Sequence, residues 1–325
     1  MPQALALSQV DNVSKNTDSD FYEHVISGLS GENKRLSPKY FYDEQGSKYF
    51  DQICELEEYY PYKTELRLLP RVAKDMAELF LKPLSIVEFG AGSLLKIQPL
   101  FDEISHVREF IPIDISGEHL HQACRELKRQ FPDIIIDPRE GDFCNPVNLA
   151  PFRGQRLGFF PGSTIGNFSP EQAVDFLKSA RQTLGKDSYM LVGVDTKKTP
   201  DLLHRAYNDK LGVTAKFNKN ILHRINREMD ANIETENFDH YAFYNAKKGR
   251  IEMHLVSKVH QDIEILGNQI SFRTGESIHT ECSYKYSPED FSELVGKTGW
   301  NVASSWMADK SMFSMFLLHA NSLTS

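Results

Sequence analysis

The sequence is poor in cysteine and has no long apolar run. Its 325 residues include four cysteines, and no two of them are spaced as Cys-x-x-Cys. Neither a zinc knuckle nor a redox dithiol is indicated, and we expect reduced thiols rather than a disulfide framework. The longest apolar-rich segment, residues 312–318, is too short to span a bilayer, and no signal peptide is recognisable. We therefore expect a cytoplasmic protein with no membrane contact.

An excess of positive charge is also lacking. The chain has 37 Lys and Arg against 45 Asp and Glu, which gives a net charge of −8. Binding to a polyanion needs clustered cations that displace counterions, so we expect a small-molecule ligand and no nucleic acid. The eleven histidines form no His-Glu-x-x-His motif, and we expect no metal. The apolar fraction of 40% is typical of a globular protein.

Short apolar segments alternate with amphipathic helical segments from about residue 62. The predicted strands are 85–89, 110–114, 134–136, 157–160 and 189–194. This alternation predicts a parallel sheet with helices on both faces. It stops near residue 199, where helical segments and then antiparallel strands follow, and a capped helix at residue 287 precedes two closing strands.

Four segments therefore make up two predicted domains. Residues 62–198 and 287–325 form the α/β sheet domain, and an α+β domain is inserted between them. That inserted domain comprises residues 199–286, and we assign residues 21–61 to it as well. Residues 1–20 are rich in Ser, Asn and Asp, and we expect them to be a flexible leader.

The first predicted strand runs into a glycine loop, Glu88-Phe89-Gly90-Ala91-Gly92. Glycine lets the backbone approach a ligand closely. Asp114 ends the second strand 24 residues after Gly90 (114 − 90 = 24), near the spacing at which an acidic residue binds ribose hydroxyls. Asp142 follows the third strand. A tight turn at the loop and a turn-forming Asp142 are the simpler readings of each feature taken alone.

Taken together, the loop, Asp114 and the pair Asp142-Phe143 resemble the layout of class I S-adenosylmethionine methyltransferases. In that family the loop approaches the amino-acid end of the cofactor, the first acid binds the ribose and the Asp-Phe pair meets adenine. The loop lacks the third glycine of the dinucleotide fingerprint, which disfavours a nicotinamide dehydrogenase. We therefore expect a class I, Rossmann-like sheet with S-adenosyl-L-methionine as cofactor.

From about residue 35 onward, the sequence also resembles the histidine-specific N-alpha-methyltransferases of ergothioneine biosynthesis. Several short motifs, in a shared order, carry this resemblance. They are PKYFYD (38–43), GSKYFD (46–51), EYYP (58–61), the glycine loop with Lys96, GSTIGN (162–167), RAYND (205–209), GVTA (212–215), RIEM (250–253) and TECSYK (280–285). The resemblance implies methylation of the α-amine of L-histidine, with the trimethylated betaine, hercynine, as product.

The resemblance also implies a role for each matching position. The implied cofactor contacts are Tyr59, Gly90, Lys96, Asp114, Asp142 and Phe143. The implied substrate contacts are Tyr42, Phe50, Gly162, Asn167, Tyr207, Met253, Glu281 and Ser283. Among these, Tyr42 and Asn167 match catalytic positions beside the amine, and Tyr207 matches a carboxylate contact. Glu281 and Ser283 match the pair that hydrogen-bonds the imidazole, and Met253 matches the residue packed on the ring.

The chemistry of these side chains agrees with the implied roles. An attacking amine must be neutral, and Asn167 and Tyr42 can orient it without adding a negative charge that would favour its protonated form. The rings of Tyr42 and Phe50 suit a quaternary ammonium product. Glu281 and Ser283 are two residues apart, so on a strand they point to the same face, as recognition of both imidazole nitrogens requires.

Other hypotheses fit parts of this pattern. Members of the same family act on tryptophan derivatives, so another aromatic amino acid is an alternative methyl acceptor. A non-catalytic homologue that keeps the cofactor site would show the same glycine loop, and a dehydrogenase is a more remote alternative. The oligomeric state and the group that finally accepts the amine proton are not evident from the residues.

Overall fold

A computed structural model describes residues 11–320 of the chain. Residues 1–10 of the predicted flexible leader lie outside the described residues. Residues 11–20, the rest of that segment, form the beginning of a helix, α1, Asp11–Leu29, and so differ from the prediction. The composition of the segment predicted no packed element, but the helix continues into Phe21 and Val25, whose burial in the core stabilises it.

Three helices precede the first strand, and strands and helices then share the rest of the described chain. In chain order, the strands are β1 Leu84–Phe89, β2 Val107–Asp114, β3 Ile135–Ile136, β4 Arg139–Glu140, β5 Gln155–Phe160, β6 Tyr189–Asp195, β7 Phe238–Asn245, β8 Arg250–Ser257, β9 Gln261–Ile265, β10 Asn268–Phe272, β11 Ser277–Tyr284, β12 Asn301–Met307 and β13 Phe313–His319. After α1, the helices are α2 Glu44–Glu55, α3 Tyr60–Ala77, α4 Gln98–Glu103, α5 Gly117–Gln130, α6 Pro170–Leu184, α7 Pro200–Tyr207, α8 Val213–Met229 and α9 Pro288–Val295.

The large sheet has the strand order β3–β2–β1–β5–β6–β13–β12, and β4 also pairs with β2. Strands β1 to β6 in this sheet pair in parallel, whereas β13 is antiparallel to both β6 and β12. The parallel strands, followed by two closing strands, agree with the predicted class I, Rossmann-like sheet. All residues of β1 are buried, because helices cover both faces of the sheet.

The two faces of the sheet pack into separate apolar clusters. Successive residues of β1 point to opposite faces, and Ile86 packs with the side chains of α3, α4 and α5, whereas Val87 packs with those of α6 and α9. The predicted helix start at Ser169 is confirmed, since its hydroxyl accepts a hydrogen bond from the Gln172 N–H at 3.2 Å.

A second, smaller lobe contains the antiparallel sheet β7–β8–β11, the hairpin β9–β10 and helices α1, α2, α7 and α8. One apolar cluster joins residues 21–60 to residues 203–278. Phe41 and Phe217, from the two segments, have ring centroids 4.7 Å apart within it. This common core joins the two segments that were assigned to the inserted domain. The division into two domains and its boundaries remain a prediction. Within residues 11–320, no helix is long and apolar enough to cross a membrane.

Candidate active site

A cavity lies between the carboxyl edge of the large sheet and the inner face of the β7–β8–β11 sheet. Its lining comprises Tyr42, Phe50, Ile53, Tyr59, Gly162, Ser163, Thr164, Asn167, Ala206, Tyr207, Thr214, Phe217, Met253, Glu281 and Ser283. All eight residues predicted to bind substrate are therefore brought to one cavity, together with Tyr59. They come from distant parts of the chain, so only the folded state assembles them. Phe217, on α8, was not predicted, and its apolar helical position is a typical core pattern.

The glycine loop follows β1 at the carboxyl edge of the large sheet. Gly90 and Gly92 have φ values of +71° and +54°, which favour glycine. A Cβ atom at Gly90 would lie 3.2 Å from Cε1 of Phe143. Asp114 holds the loop from β2, because its Oδ2 accepts the Gly92 N–H at 3.1 Å and its Oδ1 accepts the Ser116 N–H at 2.9 Å. The predicted cofactor residues Gly90, Asp114 and Phe143 thus lie together.

Asp142 precedes Phe143, which lies beside Gly90 of the glycine loop. Its carboxylate accepts the Cys144 N–H at 3.0 Å and pairs with Lys39 at 3.2 Å. Burial would raise the pKa of Asp142, but these two partners hold it below its ordinary value. Phe143 packs against Phe160, with ring centroids 5.6 Å apart. Lys39 comes from the second lobe, so this ion pair joins the two lobes beside the residues predicted to bind the cofactor.

Lys96 has a buried partner that the sequence analysis missed. Its ammonium lies 2.7 Å from Oε2 of Glu65, which is fully buried on α3. Both oxygens of Glu65 also lie 3.0 Å from the Gly162 N–H. One feature of the sequence indicates that Glu65 is buried. It is an acidic residue on the apolar face of a helix, followed at helical spacing by the buried Leu68, Leu69 and Val72.

The residues at this edge fit S-adenosylmethionine. The loop leaves open space beside Gly92, where an added Cβ would meet no atom within 4 Å. Each Asp114 oxygen can accept a further hydrogen bond, as ribose hydroxyls require. Glu88, at the end of β1, has one buried carboxyl oxygen, Oε2, without a hydrogen-bond partner, and burial raises its pKa well above the ordinary value. An unpartnered buried carboxyl is suited to the amino group of a ligand.

Aromatic rings form much of the wall of the cavity. The ring of Phe50 lies 5.7 Å from that of Tyr42 and 6.3 Å from that of Tyr59, both edge-on, and Tyr59 contacts Tyr207 at 6.1 Å. Burial raises the pKa of Tyr42 well above its ordinary value, and the charge of Glu281 raises it further. The Tyr42 phenol therefore keeps its proton near neutral pH, so it can donate a hydrogen bond but is not a base.

Glu281 and Ser283 extend from β11 into the cavity, as the spacing predicted. Both are buried, with 8% and 2% of their surfaces exposed. Glu281 lies opposite Met253 in the β8–β11 register, so the predicted ring-packing residue is its neighbour. Burial raises the pKa of Glu281 to about 7, against an opposing effect of Lys285. A carboxyl poised in this range can accept a hydrogen bond from a ring N–H when it is ionised.

Ser283 belongs to a buried polar network that the sequence analysis also missed. The Tyr207 hydroxyl donates to Ser283 Oγ at 2.8 Å, and Lys285 Nζ donates to the same oxygen at 2.7 Å. Lys285 also pairs with Asp195, at the end of β6, at 2.7 Å. Lys285 continues the two-residue alternation of Glu281 and Ser283, which is the signal that pointed to it.

The opposite face of the β8–β11 pair carries potential metal ligands. The ligand atoms of Glu252, His254 and His279 lie within 4.8 Å of one another. The Glu252 carboxylate already forms an ion pair, since Nη2 of Arg250 lies 2.6 Å from its Oε1. The rings of His254 and His279 are stacked, with centroids 4.9 Å apart. The absence of a metal from this protein remains a prediction.

Comparison with known proteins agrees with this geometry. The family model described as "Histidine-specific methyltransferase, SAM-dependent" matches residues 21–320. The histidine N-alpha-methyltransferase of Mycolicibacterium smegmatis is 37% identical, with 90% of this chain and 92% of the relative covered. The enzyme of the same name from Mycobacterium tuberculosis is 34% identical at the same coverage, 90% and 92%. An L-tryptophan methyltransferase of Psilocybe serbica is 28% identical, with 89% of each chain covered.

Proposed function

The chain belongs to the family of histidine-specific, S-adenosylmethionine-dependent methyltransferases, and from this premise we propose that it methylates the α-amino group of L-histidine. The position of Glu281 and Ser283 carries this proposal, because a carboxyl and a hydroxyl face one cavity on the same strand. They can hydrogen-bond the two imidazole nitrogens. An indole ring has one N–H and no acceptor nitrogen, so it would leave one of these buried groups unpaired, which disfavours its binding.

Bound S-adenosylmethionine supplies an electrophilic methyl group attached to a sulfonium. Asn167 and Tyr42 line the cavity and would orient the amine by hydrogen bonds. Neither adds a negative charge, and the Tyr42 phenol stays protonated. The enclosed wall favours the neutral amine, since burial disfavours the ammonium form. Holding the amine in line for a direct displacement accounts for a large part of the expected acceleration.

We propose three successive methylations, to the betaine. A trimethylammonium group has no N–H to donate, so hydrogen bonding cannot hold it. Aromatic faces attract such a cation by about 0.5–2 kcal/mol each. Tyr42, Phe50 and Tyr59 supply such rings in the cavity wall. The same wall accommodates the amine as it becomes more apolar with each methyl group.

The proposal includes a cytoplasmic location, no nucleic-acid partner and no metal. The reduced state of the cysteines supports the first of these, since all four are free and Cys54 and Cys124 are buried. The net charge of −8 supports the second. Functionally, we assign cofactor binding to residues 62–198 and 287–325 and substrate binding to residues 21–61 and 199–286.

Product mass is the direct test of this function. The protein is incubated with S-adenosylmethionine and, separately, with L-histidine, L-tryptophan, L-tyrosine or L-phenylalanine, and mono-, di- and trimethylated products are quantified by mass spectrometry. We expect methyl gain on histidine, ending in the trimethyl form. Methyl gain on tryptophan instead would overturn the substrate assignment. Binding of the cofactor without turnover of any amine would identify a non-catalytic homologue.

A further inference from the structure

Lys285 is a fully buried cation whose three ammonium protons all have partners. The ammonium donates to Asp195 Oδ2 at 2.7 Å, to Ser283 Oγ at 2.7 Å and to the Tyr207 hydroxyl oxygen at 3.1 Å. Burial lowers the pKa of Lys285, but the charge of Asp195 outweighs this and raises the pKa above its ordinary value. Lys285 is therefore charged at every physiological pH, and it acts only as a donor.

This arrangement determines what Ser283 can do in the cavity. A hydroxyl oxygen accepts two hydrogen bonds and donates one. The oxygen of Ser283 already accepts from Lys285 and from the Tyr207 hydroxyl, at 2.7 and 2.8 Å. Both acceptor positions are filled, so the Ser283 proton is what remains for a ligand. The single proton of Tyr207 is then donated to Ser283 and is not available for the substrate carboxylate, contrary to the role that the family resemblance implies for Tyr207. Towards the cavity, Ser283 is a donor.

Glu281 provides the complementary group two residues earlier on the same strand face. Its ionised carboxyl can only accept. The two side chains together match a ring with one nitrogen that accepts and another that carries a proton. That description fits the neutral imidazole in a single tautomer. It fits neither an imidazolium ion, which has two donors and no acceptor, nor an indole, which has one donor and no acceptor.

We propose that Lys285 is a positioning residue for substrate recognition: anchored by Asp195, it directs the Ser283 hydroxyl towards the substrate and thereby selects neutral imidazole with its N–H on Glu281. The inference rests on the proposed function, because it concerns the ring of the same histidine substrate. Lys285 touches Ser283 and Tyr207 rather than the cavity itself, so it acts through them. Asp195 holds Lys285 by its Oδ2, which also accepts the Tyr60 hydroxyl at 2.8 Å.

A second effect of Lys285 acts through charge. Burial raises the pKa of Glu281, and Lys285 is the group that lowers it in return. Loss of the Lys285 charge should therefore keep Glu281 protonated to a higher pH. A protonated Glu281 presents a donor as well as an acceptor, so it no longer favours one ring tautomer. The donor effect and the charge effect of Lys285 can be separated experimentally.

The test uses Lys285→Met, Lys285→Gln and a matched control, Lys198→Met. Lys198 is also buried and pairs with the other oxygen of Asp195, Oδ1. The control therefore removes one buried cation from the same carboxylate without touching Ser283 or Tyr207. The glutamine variant keeps an N–H donor for Ser283 but removes the charge. Binding of L-histidine to the complex with S-adenosylhomocysteine is measured by calorimetry from pH 6 to pH 9, and unfolding by urea is measured alongside.

We expect Lys285→Met to raise the Kd for histidine by roughly 10- to 100-fold, as for loss of an ordered hydrogen bond in a buried site. Histidine binding should weaken as pH falls and Glu281 becomes protonated, and we call this fall the acidic limb. It should move to higher pH in both Lys285 variants. At pH 9, Lys285→Gln should bind histidine much closer to wild type than Lys285→Met. Lys198→Met should leave the acidic limb in place, and S-adenosylhomocysteine should bind all four proteins alike.

Equal Kd values and an unmoved acidic limb in the Lys285 and Lys198 variants would overturn the inference and reduce Lys285 to a structural role. If Lys285→Met does not fold, the acidic limb of Lys285→Gln decides alone, because the charge effect predicts its shift. The proposed function fails differently: a folded wild-type protein that binds the cofactor product but neither binds nor methylates histidine would refute that function, whatever the variants do.

Discussion

Glu65 and Lys96 form a buried ion pair, 2.7 Å apart, whose carboxylate also accepts the Gly162 N–H with both oxygens at 3.0 Å. Lys96 follows the glycine loop, whereas Gly162 begins the loop that carries Asn167. One side chain on α3 therefore joins the loop predicted to bind the cofactor to the loop predicted to bind the substrate amine.

Replacing Glu65 should destabilise the protein strongly. We expect Glu65→Ala to lower the free energy of unfolding by about 3–5 kcal/mol, because Lys96 would become an unpaired buried charge. The double variant Glu65→Ala/Lys96→Met should recover part of this loss, since both charges are then absent. Urea unfolding measures both values. Glu44→Ala, which breaks the exposed pair with Lys48, is the control and should change little; additive losses in the double variant would contradict the prediction.

Substrate recognition should depend on the charge of Glu281. We expect Glu281→Gln to lower kcat/KM for histidine by about 10- to 100-fold, because the anionic acceptor of the ring N–H is replaced by a neutral amide, whose oxygen accepts more weakly and whose NH2 group adds a donor. Cofactor affinity should stay unchanged. Steady-state kinetics and calorimetry measure the two quantities. Glu264→Gln, on the exposed side of β9, is the matched control, and an equal loss in both variants would argue against a recognition role.

The same substitution should stabilise the protein at alkaline pH. The pKa of Glu281 is raised by burial to about 7 in the folded state, above its unfolded value. A raised pKa means stability that is complete below the unfolded pKa and is lost as pH rises through the folded pKa. The wild type therefore carries a penalty above pH 7 that Glu281→Gln lacks. We expect the variant to gain about 1–3 kcal/mol at pH 8 and little at pH 4.5, as measured by urea unfolding; an equal difference at both pH values would contradict this assignment.

A methyl group at Gly90 should weaken cofactor binding specifically. Gly90 has a φ of +71°, and an added Cβ would lie 3.2 Å from Phe143. Gly267 has a φ of +78° but open space around it, in the turn between β9 and β10. Both alanine variants should lose about 1–2 kcal/mol of stability through backbone strain. Only Gly90→Ala should lower the affinity for S-adenosylmethionine, and equal affinities in calorimetry would show that the loop does not contact it.

Loss of the Tyr42 hydroxyl should lower kcat without changing how kcat depends on pH. We expect Tyr42→Phe to lower kcat by about 10- to 100-fold through a misplaced amine. Since burial raises the pKa of Tyr42 well above its ordinary value, the phenol does not titrate in the working range. The pH dependence of kcat should therefore keep its shape. Tyr241→Phe, at an exposed site on β7, serves as the control. A base must be deprotonated to act, so loss of the acidic limb of the kcat profile only in Tyr42→Phe would make Tyr42 a base.

The strand and helix pattern of the large sheet was predictable because it is a local property. Strand β1 reads as an apolar run that ends in glycines, and Ser169-Pro170 reads as a helix start. The predicted site residues were found through short motifs and a two-residue spacing on β11. Glu65, Asp195 and Lys285 escaped prediction because charged residues usually lie on the surface. Their burial depends on partners that are 31, 90 and 90 residues away in sequence (96 − 65 = 31; 285 − 195 = 90).

By itself, the sequence determined the class of the sheet, the glycine loop with Asp114, the family, and the alternation that sends Glu281 and Ser283 to one face. These follow from periodicity and motif order, which are properties of the linear sequence. Tertiary structure alone decided that Glu65 joins the two loops predicted to bind the cofactor and the substrate amine, and that Lys285 and Tyr207 fill the two acceptor positions of Ser283. The direction in which a hydroxyl donates depends on which groups surround it, and folding brings those groups together.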